Sequence, residues 1–402
     1  MALTEKITLA KIKKPISLYL HIPFCKGKCM FCDFFSVTEF NLIIIKDVLE
    51  RILGEFDYYY SLIDKPPIQT LYIGGGSPGI VPIKMMNDFL SKLNKRIPDK
   101  PVEFTFESNP VDINIDFLSM LEGNNITRLS IGVQSFNNRL SGILGRFNQP
   151  ENIARKIEFI SKEWNYDLNI DIITEIPGET IGEAVDDIKR VISFSPEHIS
   201  LYSLIFEENN PFLNHLNISG IKPLLDDIKE KMWIHCVELL KKRYVNYEIS
   251  NFALNNKECI HNLNYWKLNP YLGIGPGAVS TLPGSDKIIR INNTKNIDNY
   301  LHFDDYDISI EKISIKDFFK ENLIMSFRTE YGINLKTIRE RFNMDILKLF
   351  HREIEEYVNN GYMSKTDTNV FFTEKGRLLL NFFLRKLLIK TDNIKFKHLK
   401  WP

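Results

Sequence analysis

The sequence predicts an α/β fold: a parallel barrel or open sheet of six βα units, then an α+β segment and a small winged-helix-like C-terminal domain. Short runs rich in apolar and β-branched residues alternate with segments of helical pattern over the first half of the chain. Polar residues stand at the ends of those runs. Near the end of the chain the pattern becomes mainly helical with a small hairpin. We therefore expect domains at 1–205, 206–309 and 310–402.

Each predicted strand of the first domain is a short apolar run, as buried parallel strands are. The strands are 16–22, 68–74, 102–108, 127–133, 167–173 and 198–204. The helical segments between them are 40–62, 82–95, 114–123, 137–164 and 180–193. Helices that connect successive parallel strands form right-handed crossovers, so all six strands should end at one face of the sheet.

The pattern changes after residue 205. The second domain should contain a helix at 226–243, a strand over 245–253 and the unusual stretch 258–280. In the third domain we expect helices near 315–328, 334–341 and 343–359, a hairpin around NVFFTEKG and a last helix over GRLLLNFFLRKLL. Helices followed by a small hairpin indicate a winged-helix-like domain.

Composition excludes several classes of protein. Lys and Arg number 51, and so do Asp and Glu, so net charge attracts the chain neither to nucleic acid nor to membranes. The sequence has neither a run of eighteen apolar residues nor the apolar core of a signal peptide. Of the five cysteines three are clustered, which argues against a disulfide framework. Together these features predict a cytoplasmic protein.

The clustered cysteines Cys25, Cys29 and Cys32 have C-x3-C-x2-C spacing after the first predicted strand. Soft thiolates select an iron–sulfur cluster or zinc, but structural zinc normally has four ligands and no second CxxC is present. Three thiolates on a [4Fe–4S] cluster leave one iron open for a substrate or cofactor. The alternative is three buried small residues, or a disulfide and a free thiol. A Lys- and Gly-rich loop after a strand favours an exposed site.

Polar residues follow the other strands of the first domain. They are Gly74, Gly75, Gly76 and Ser77 after strand two, Glu107, Gln134 and Asp171 at the ends of strands three to five, and Tyr202 and Ser203 at the end of strand six. In parallel α/β barrels the carboxyl ends of the strands carry the chemistry. A glycine run lets a ligand approach the backbone or simply makes a tight turn. Each carboxylate either binds hydroxyls and amines or lies at the surface, and Arg146 either completes the polar wall or pairs with an acid.

The runs YLHIPFC, LYIGGGSP, FESNP, SIGVQSF, ILGR and IPGET occur in this order. Over residues 15–390 the chain resembles the radical S-adenosylmethionine (SAM) proteins of the oxygen-independent coproporphyrinogen oxidase superfamily. The resemblance implies a partial (β/α)6 barrel with a [4Fe–4S] cluster on the three clustered cysteines. It assigns to SAM or the cluster the positions Tyr19, Phe31, Gly74, Gly75, Gly76, Ser77, Glu107, Gln134, Arg146, Asp171, Ser203 and Val279.

Two branches of this superfamily differ in sequence. The oxidases carry a fourth cysteine two residues after the third, where this chain has Phe34, and a longer N-terminal arm than the 24 residues that precede Cys25 here. The haem-chaperone branch, of HemW type, has CxF and an HNxxYW motif, which this chain matches at 261–266. The resemblance therefore favours a chaperone that binds haem, a [4Fe–4S] cluster and SAM and transfers haem to an acceptor protein. The alternative is an oxygen-independent coproporphyrinogen III oxidase, an enzyme that Phe34 argues against. An electron donor is a further expected partner.

The HNxxYW motif has a chemistry that suits haem. His261 offers an axial nitrogen, Tyr265 and Trp266 offer flat walls, and Cys259 offers a second ligand or an attachment thiol. The alternative is that Tyr265 and Trp266 belong to the core and that His261 caps a turn.

The chain departs from the pattern of the superfamily at two positions. Asn148 replaces the histidine of LGRxH, and Glu175 replaces a glycine after strand five. If that glycine gives SAM room, Glu175→Gly should raise SAM cleavage.

A third hypothesis is a regulator that binds DNA through the C-terminal domain. Arg339, Arg341 and Lys397 are basic, but they form no dense stripe, so we do not expect a nucleic-acid partner.

Overall fold

The computed structural model describes residues 8–146, 150–205, 212, 216, 220–285, 287–302, 308–396 and 398–402. Twelve strands form one sheet in the order β12-β11-β10-β9-β1-β2-β3-β4-β5-β6-β8-β7, and three more form a second sheet in the order β13-β15-β14. Strands β1 to β6 run parallel to one another, and β9 is parallel to β1. The remaining pairs are antiparallel.

The strands of the large sheet have the following bounds. They are β1 Ile16–Ile22, β2 Ile68–Gly75, β3 Glu103–Ser108, β4 Arg128–Gln134, β5 Asp167–Thr174, β6 His198–Ser203, β7 Val245–Asn246, β8 Asn251–Ala253, β9 Tyr271–Ile274, β10 Val279–Pro283, β11 Ile288–Asn292 and β12 Ser309–Ile313. The small sheet contains β13 Ile333–Asn334, β14 Met363–Lys365 and β15 Asn369–Phe372.

Helices connect these strands. They are α1 Leu42–Leu62, α2 Ile83–Asn94, α3 Ile115–Gly123, α4 Asn138–Ile143, α5 Pro150–Glu163, α6 Ile181–Ser193, α7 Asp226–Leu240, α8 Ile260–Trp266, α9 Ile297–His302, α10 Ile315–Phe327, α11 Leu335–Phe342, α12 Ile346–Leu349, α13 His351–Asn359, α14 Glu374–Arg377 and α15 Leu380–Thr391. Within the described residues, no helix is both long and apolar enough to cross a membrane.

The parallel strands β2 to β6 curve around a polar interior. Side chains from all five line one small cavity of about 40 Å³, which requires the sheet to bend into a partial barrel. Alternate residues of the parallel strands β1 to β6 point out to the helices and form the main apolar core, for example Leu18, Leu20 and Ile22 of β1. The α/β fold with its partial barrel is therefore confirmed.

The C-terminal region packs around a second apolar core. Helices α10 to α15 enclose the three-stranded antiparallel sheet. The helical residues Phe318, Phe327 and Phe383 are buried in this second core. Helices around a small antiparallel sheet confirm the winged-helix-like architecture. The domain boundaries stay predictions, and the large sheet continues from β6 into strands β7 to β12.

Several element predictions were wrong in detail. The helix predicted over 137–164 is two helices, α4 and α5, because the chain turns at Gly145 (φ +72°) and α5 begins at Pro150. The strand predicted over 245–253 is the short pair β7 and β8, which fold back on each other. The helices predicted at 343–359 and at the end of the chain each divide into two. Strands β9 to β12 were not predicted, although β9 extends the parallel sheet beside β1.

Candidate functional site

The three clustered cysteines lie on a loop that leaves the carboxyl end of β1. The base of the loop is closed, because the Cys25 N–H donates to the Val37 carbonyl (3.0 Å) and the Val37 N–H donates to the Pro23 carbonyl (2.8 Å). All three thiols are free and half-buried. Burial raises the pKa of the Cys29 and Cys32 thiols. The loop therefore presents three thiols on one short, anchored segment.

Three thiols on one short loop are a donor set that suits an iron–sulfur cluster. In the described part of the chain, no group of three or more His, Cys, Asp or Glu side chains is arranged to hold one metal ion. A [4Fe–4S] cluster is held instead by thiolates that each bind a different iron. The position of the fourth cysteine of the oxidases is occupied by Phe34, whose side chain is 67% exposed. The loop can thus supply three ligands to a cluster, and Phe34 cannot supply a fourth.

The ILGR segment packs against the cysteine loop. The Met30 N–H donates to the Leu144 carbonyl (3.1 Å), and a side chain at Gly145 would lie 2.9 Å from the Met30 Cγ. The next residue, Arg146, is buried, and burial lowers its pKa while the thiols of the loop and Asp171 oppose that shift. Arg146 therefore places a positive charge between the cysteine loop and the end of β5.

The glycine run after β2 approaches the protein's own backbone. The Gly76 N–H donates to the Ile22 carbonyl (2.9 Å) and the Ser77 N–H donates to the Phe24 carbonyl (2.7 Å). A Cβ at Gly76 would lie 2.5 Å from the Phe24 carbonyl oxygen, and Gly75 has φ +121°, where a side chain is strained. The glycines thus allow this turn to pack on the start of the cysteine loop.

Two half-buried carboxyl groups face the interior of the barrel. Glu107 accepts hydrogen bonds from the Tyr72 hydroxyl (2.5 Å) and the Gly75 N–H (3.3 Å), and burial raises its pKa to about 7. Asp171 accepts from the Asn169 amide (2.7 Å) and the Ser130 hydroxyl (3.4 Å), and burial raises its pKa as well. Both line the cavity of about 40 Å³. They can accept hydrogen bonds from a polar ligand above them.

The other positions assigned to SAM lie around the same end of the barrel. The Tyr19 hydroxyl contacts His21 Nδ1 (3.0 Å), and Phe31 packs on an apolar cluster at the carboxyl ends of the strands. Gln134 ends β4 with φ +71°, and its amide lies over Gly132. Val279 begins β10, and Ser203 ends β6. The structure therefore brings the predicted SAM positions to the face that bears the cysteine loop.

Glu175, which stands where the family pattern has glycine, has a backbone conformation that suits glycine. It has φ +66°, a conformation that glycine adopts readily, and only 7% of the residue is exposed. Its carboxylate accepts a hydrogen bond from the Ser203 hydroxyl (2.5 Å). Asn148, the other departure, lies outside the described residues.

Sequence reasoning missed two residues of this site. Tyr72 contacts both Glu107 and the HNxxYW motif. Its hydroxyl donates a hydrogen bond to Glu107, and the centroid of its ring lies 5.1 Å from that of His261. His21 lies under the cysteine loop, where its Nε2 contacts the Phe35 carbonyl (2.8 Å) and burial lowers its pKa to about 4. Both occupy alternate strand positions that point inward, which is the signal that could have identified them.

The HNxxYW motif forms α8, which closes the amino end of the barrel. Glu103, the first residue of β3, accepts hydrogen bonds from the backbone N–H groups of Ile260 (2.9 Å) and His261 (2.8 Å). The same carboxylate pairs with the buried Arg128 (3.1 Å). A carboxylate at a helix N-terminus satisfies N–H groups that have no partner within the helix.

The haem candidates of this motif are mostly turned into the protein. His261 is 1% exposed, with Nδ1 at 2.9 Å from the Thr70 hydroxyl and Nε2 at 2.9 Å from the Tyr265 hydroxyl. Burial lowers the pKa of His261 to about 3. The Cys259 thiol donates to Glu103 (3.3 Å), and burial raises its pKa. Both ring nitrogens of His261 and the thiol of Cys259 are thus engaged in contacts within the protein. Cys259 lines the small cavity of the barrel, and Trp266 lines a larger cleft on the other side of α8.

Family models match both halves of the chain. The radical SAM superfamily model matches residues 19–191, and the HemN C-terminal domain model matches residues 313–379. Coproporphyrinogen III oxidase (HemN) from Escherichia coli, a radical SAM enzyme of known structure, has the same fold, with a TM-score of 0.78. The similarity covers 95% of this chain and 91% of that structure at 20% identity. Fold, cysteine loop and family models together define a radical SAM protein.

Curated relatives identify the family within that superfamily. Heme chaperone HemW of Lactococcus lactis is 30% identical, over 96% of this chain and 100% of its own length. HemW of Buchnera aphidicola subsp. Acyrthosiphon pisum is 32% identical, over 93% of this chain and 98% of its own. The protein of that name from Escherichia coli is 29% identical over similar shares. The chain belongs to the HemW family.

Proposed function

We propose that the chain is a haem chaperone that binds a [4Fe–4S] cluster, SAM and haem and passes haem to an acceptor protein. The observation that carries the proposal is the cysteine loop, which has three free thiols and an exposed Phe34 where the oxidases have a fourth cysteine. The near full-length similarity to proteins named heme chaperone HemW supports the same function. The acceptor and an electron donor are the expected protein partners.

Cys25, Cys29 and Cys32 would hold the cluster, which when bound supplies an open iron to chelate the amine and carboxylate of SAM. Arg146 would stabilise the thiolates, because its buried charge acts on all three. Glu107 and Asp171 would accept hydrogen bonds from the remaining amine protons or the ribose hydroxyls. The first test is anaerobic reconstitution, with iron and sulfide content and the electron paramagnetic resonance spectrum as readouts. Single Cys→Ala changes in the loop should abolish the cluster signal, whereas Cys236→Ala, a buried cysteine on α7, should retain it.

Haem binding is tested by titration of the reconstituted protein, followed by Soret absorbance. Saturation near one haem per chain supports the proposal, and no specific binding would refute it. The His261→Ala variant needs a stability control, since it removes the His261 partner of the Tyr265 hydroxyl and one of the two partners of the Thr70 hydroxyl. The alternative function is that of the oxidase, whose fold this chain shares. Decarboxylation of coproporphyrinogen by this protein in an anaerobic assay would support that alternative instead.

A further inference from the structure

A cleft of about 360 Å³ lies between the HNxxYW helix and the C-terminal region. One wall is the carboxyl end of α8 with Trp266 and Lys267, and the others are α10, α11 and the segment 329–334. This volume is within the range of small-molecule sites in proteins. The cleft is separate from the barrel interior, where Glu107 and Asp171 lie.

Arg341 of α11 lines the cleft as a buried cation. It is 8% exposed, and its Nη1 donates to the Asn322 side-chain oxygen (2.7 Å) and the Lys267 carbonyl (3.2 Å). Among the described residues, no carboxylate forms an ion pair with it. Burial lowers its pKa to about 10. A buried arginine normally has an anionic partner, because removing an unpaired charge from water is costly.

The cleft has the polarity of a site for an anion. The charged side chains that line it are Arg341 and Lys267, both positive, and the described lining contains no Asp or Glu. The side-chain amides of Asn269, Asn334 and Asn369 add hydrogen-bonding groups. Trp266 provides a flat aromatic surface beside them. A ligand that matches this lining is a flat ring that carries carboxylates.

We propose that this cleft binds the propionate-bearing edge of haem, with a propionate on Arg341 and the macrocycle beside Trp266. Arginine pairs with carboxylates through two parallel hydrogen bonds, and Nε and Nη2 of Arg341 are not used by the bonds described above. No His, Cys or Met is among the described residues that line the cleft, so recognition depends on the carboxylates and the ring and not on the iron. This inference rests on the proposed function, since it names the place where haem is held.

The test compares haem with haem dimethyl ester, whose propionates are neutral, in Soret titrations of the reconstituted full chain. We expect the ester to bind the wild type at least about tenfold more weakly than haem, because a charge-assisted pair is lost. Arg341→Gln should weaken haem binding by a similar factor and leave ester binding unchanged. Protoporphyrin IX, which lacks iron, should bind the wild type within a few-fold of haem. Arg339→Gln is the matched control, since Arg339 lies exposed on the same helix and pairs with Asp345.

Equal binding of haem and ester by the wild type would overturn the inference without the need for any variant. So would haem binding by Arg341→Gln at wild-type affinity, or a requirement for iron shown by failure of protoporphyrin IX. In these cases the wild type still binds haem, and the proposed function survives. If the wild type binds no haem, the proposed function fails and this inference fails with it.

Discussion

Glu175 combines a left-handed backbone with a buried, hydrogen-bonded side chain. A left-handed conformation costs a residue with a Cβ about 1–2 kcal/mol relative to glycine. We therefore expect Glu175→Gly to be more stable than Glu175→Ala by about 1 kcal/mol, because both variants lose the bond to Ser203 but only alanine keeps the backbone strain. Urea unfolding of the two variants measures the difference, and a more stable alanine variant would contradict this account.

Glu107 should make stability depend on pH. Its pKa is raised to about 7 by burial, so the folded protein holds a proton on Glu107 that the unfolded chain releases at lower pH. The contribution of Glu107 to the free energy of unfolding is therefore complete below about pH 4.5. It is lost as the pH rises to about 7, which lowers the free energy of unfolding by at most about 3 kcal/mol. Urea unfolding of SAM-free protein between pH 5 and 8 should show a smaller decrease for Glu107→Gln than for the wild type. Glu50→Gln, at an exposed position of α1, should behave like the wild type.

The sequence predicts which residues meet at the strand ends. It predicts their ion pairs less well. Glu107, Asp171 and the cysteine loop converge because strand period and parallel topology determine their placement. The glycine position that Glu175 occupies is a local signal for its left-handed backbone. The surroundings of Arg341 depend on segments distant in sequence, and among the described residues none of them brings a carboxylate to it.

At the scale of elements, α8 depends on Glu103 more than on its own length. Seven residues make too short a helix to be stable alone, and its first N–H groups are satisfied by that carboxylate. No helix was predicted over 260–266, and the anchor of α8 on β3 is more than 150 residues earlier in the sequence.

We expect Glu103→Gln to destabilise the protein by about 3 kcal/mol, because it leaves Arg128 with less compensation for its buried charge. Chemical denaturation measures the loss. Glu122→Gln on α3, whose carboxylate contacts only the Asn165 amide among the bonds described, should cost less than about 1 kcal/mol. Equal losses in the two variants would refute the role given to Glu103.

At the scale of the whole molecule, residues 400 and 401 contact both the C-terminal helices and the segment that follows α8. The Trp401 indole N–H donates to the Leu268 carbonyl (2.8 Å), its ring lies 5.0 Å from that of Phe318, and the Lys400 N–H donates to the Arg341 carbonyl (2.8 Å). Trp401→Ala should therefore lower the free energy of unfolding by about 2 kcal/mol, less than for a fully buried tryptophan. It should also expose the C-terminal segment to proteolysis. Ile389→Ala, at a position 64% exposed, is the control and should change neither property.

The six parallel strands were predicted within one residue of their observed ends because buried parallel strands are short continuous apolar runs. Strand β9 was not predicted because Gly273 interrupts its apolar run and its parallel partner β1 is remote in sequence. Strands β10 to β12 pair with strands that are adjacent in the chain, and their short runs were not recognised within the stretch after residue 258. Most motifs of the resemblance lie in the first half, and HNxxYW at 261–266 represents the second. The motif predicted a ligand site but not the tertiary contacts around it.

The position of β1 in the sheet has a consequence for how the protein is made. One edge of β1 pairs with β2, which is the next strand in the chain. The other edge pairs with β9, so Leu20 has no partner on that side until Ile274 has been synthesised. At roughly 5–20 residues per second, synthesis of the intervening chain takes on the order of tens of seconds. During that time the strand that bears the cysteine loop has an open edge on the ribosome. Insertion of the cluster before synthesis ends would therefore act on an incomplete barrel.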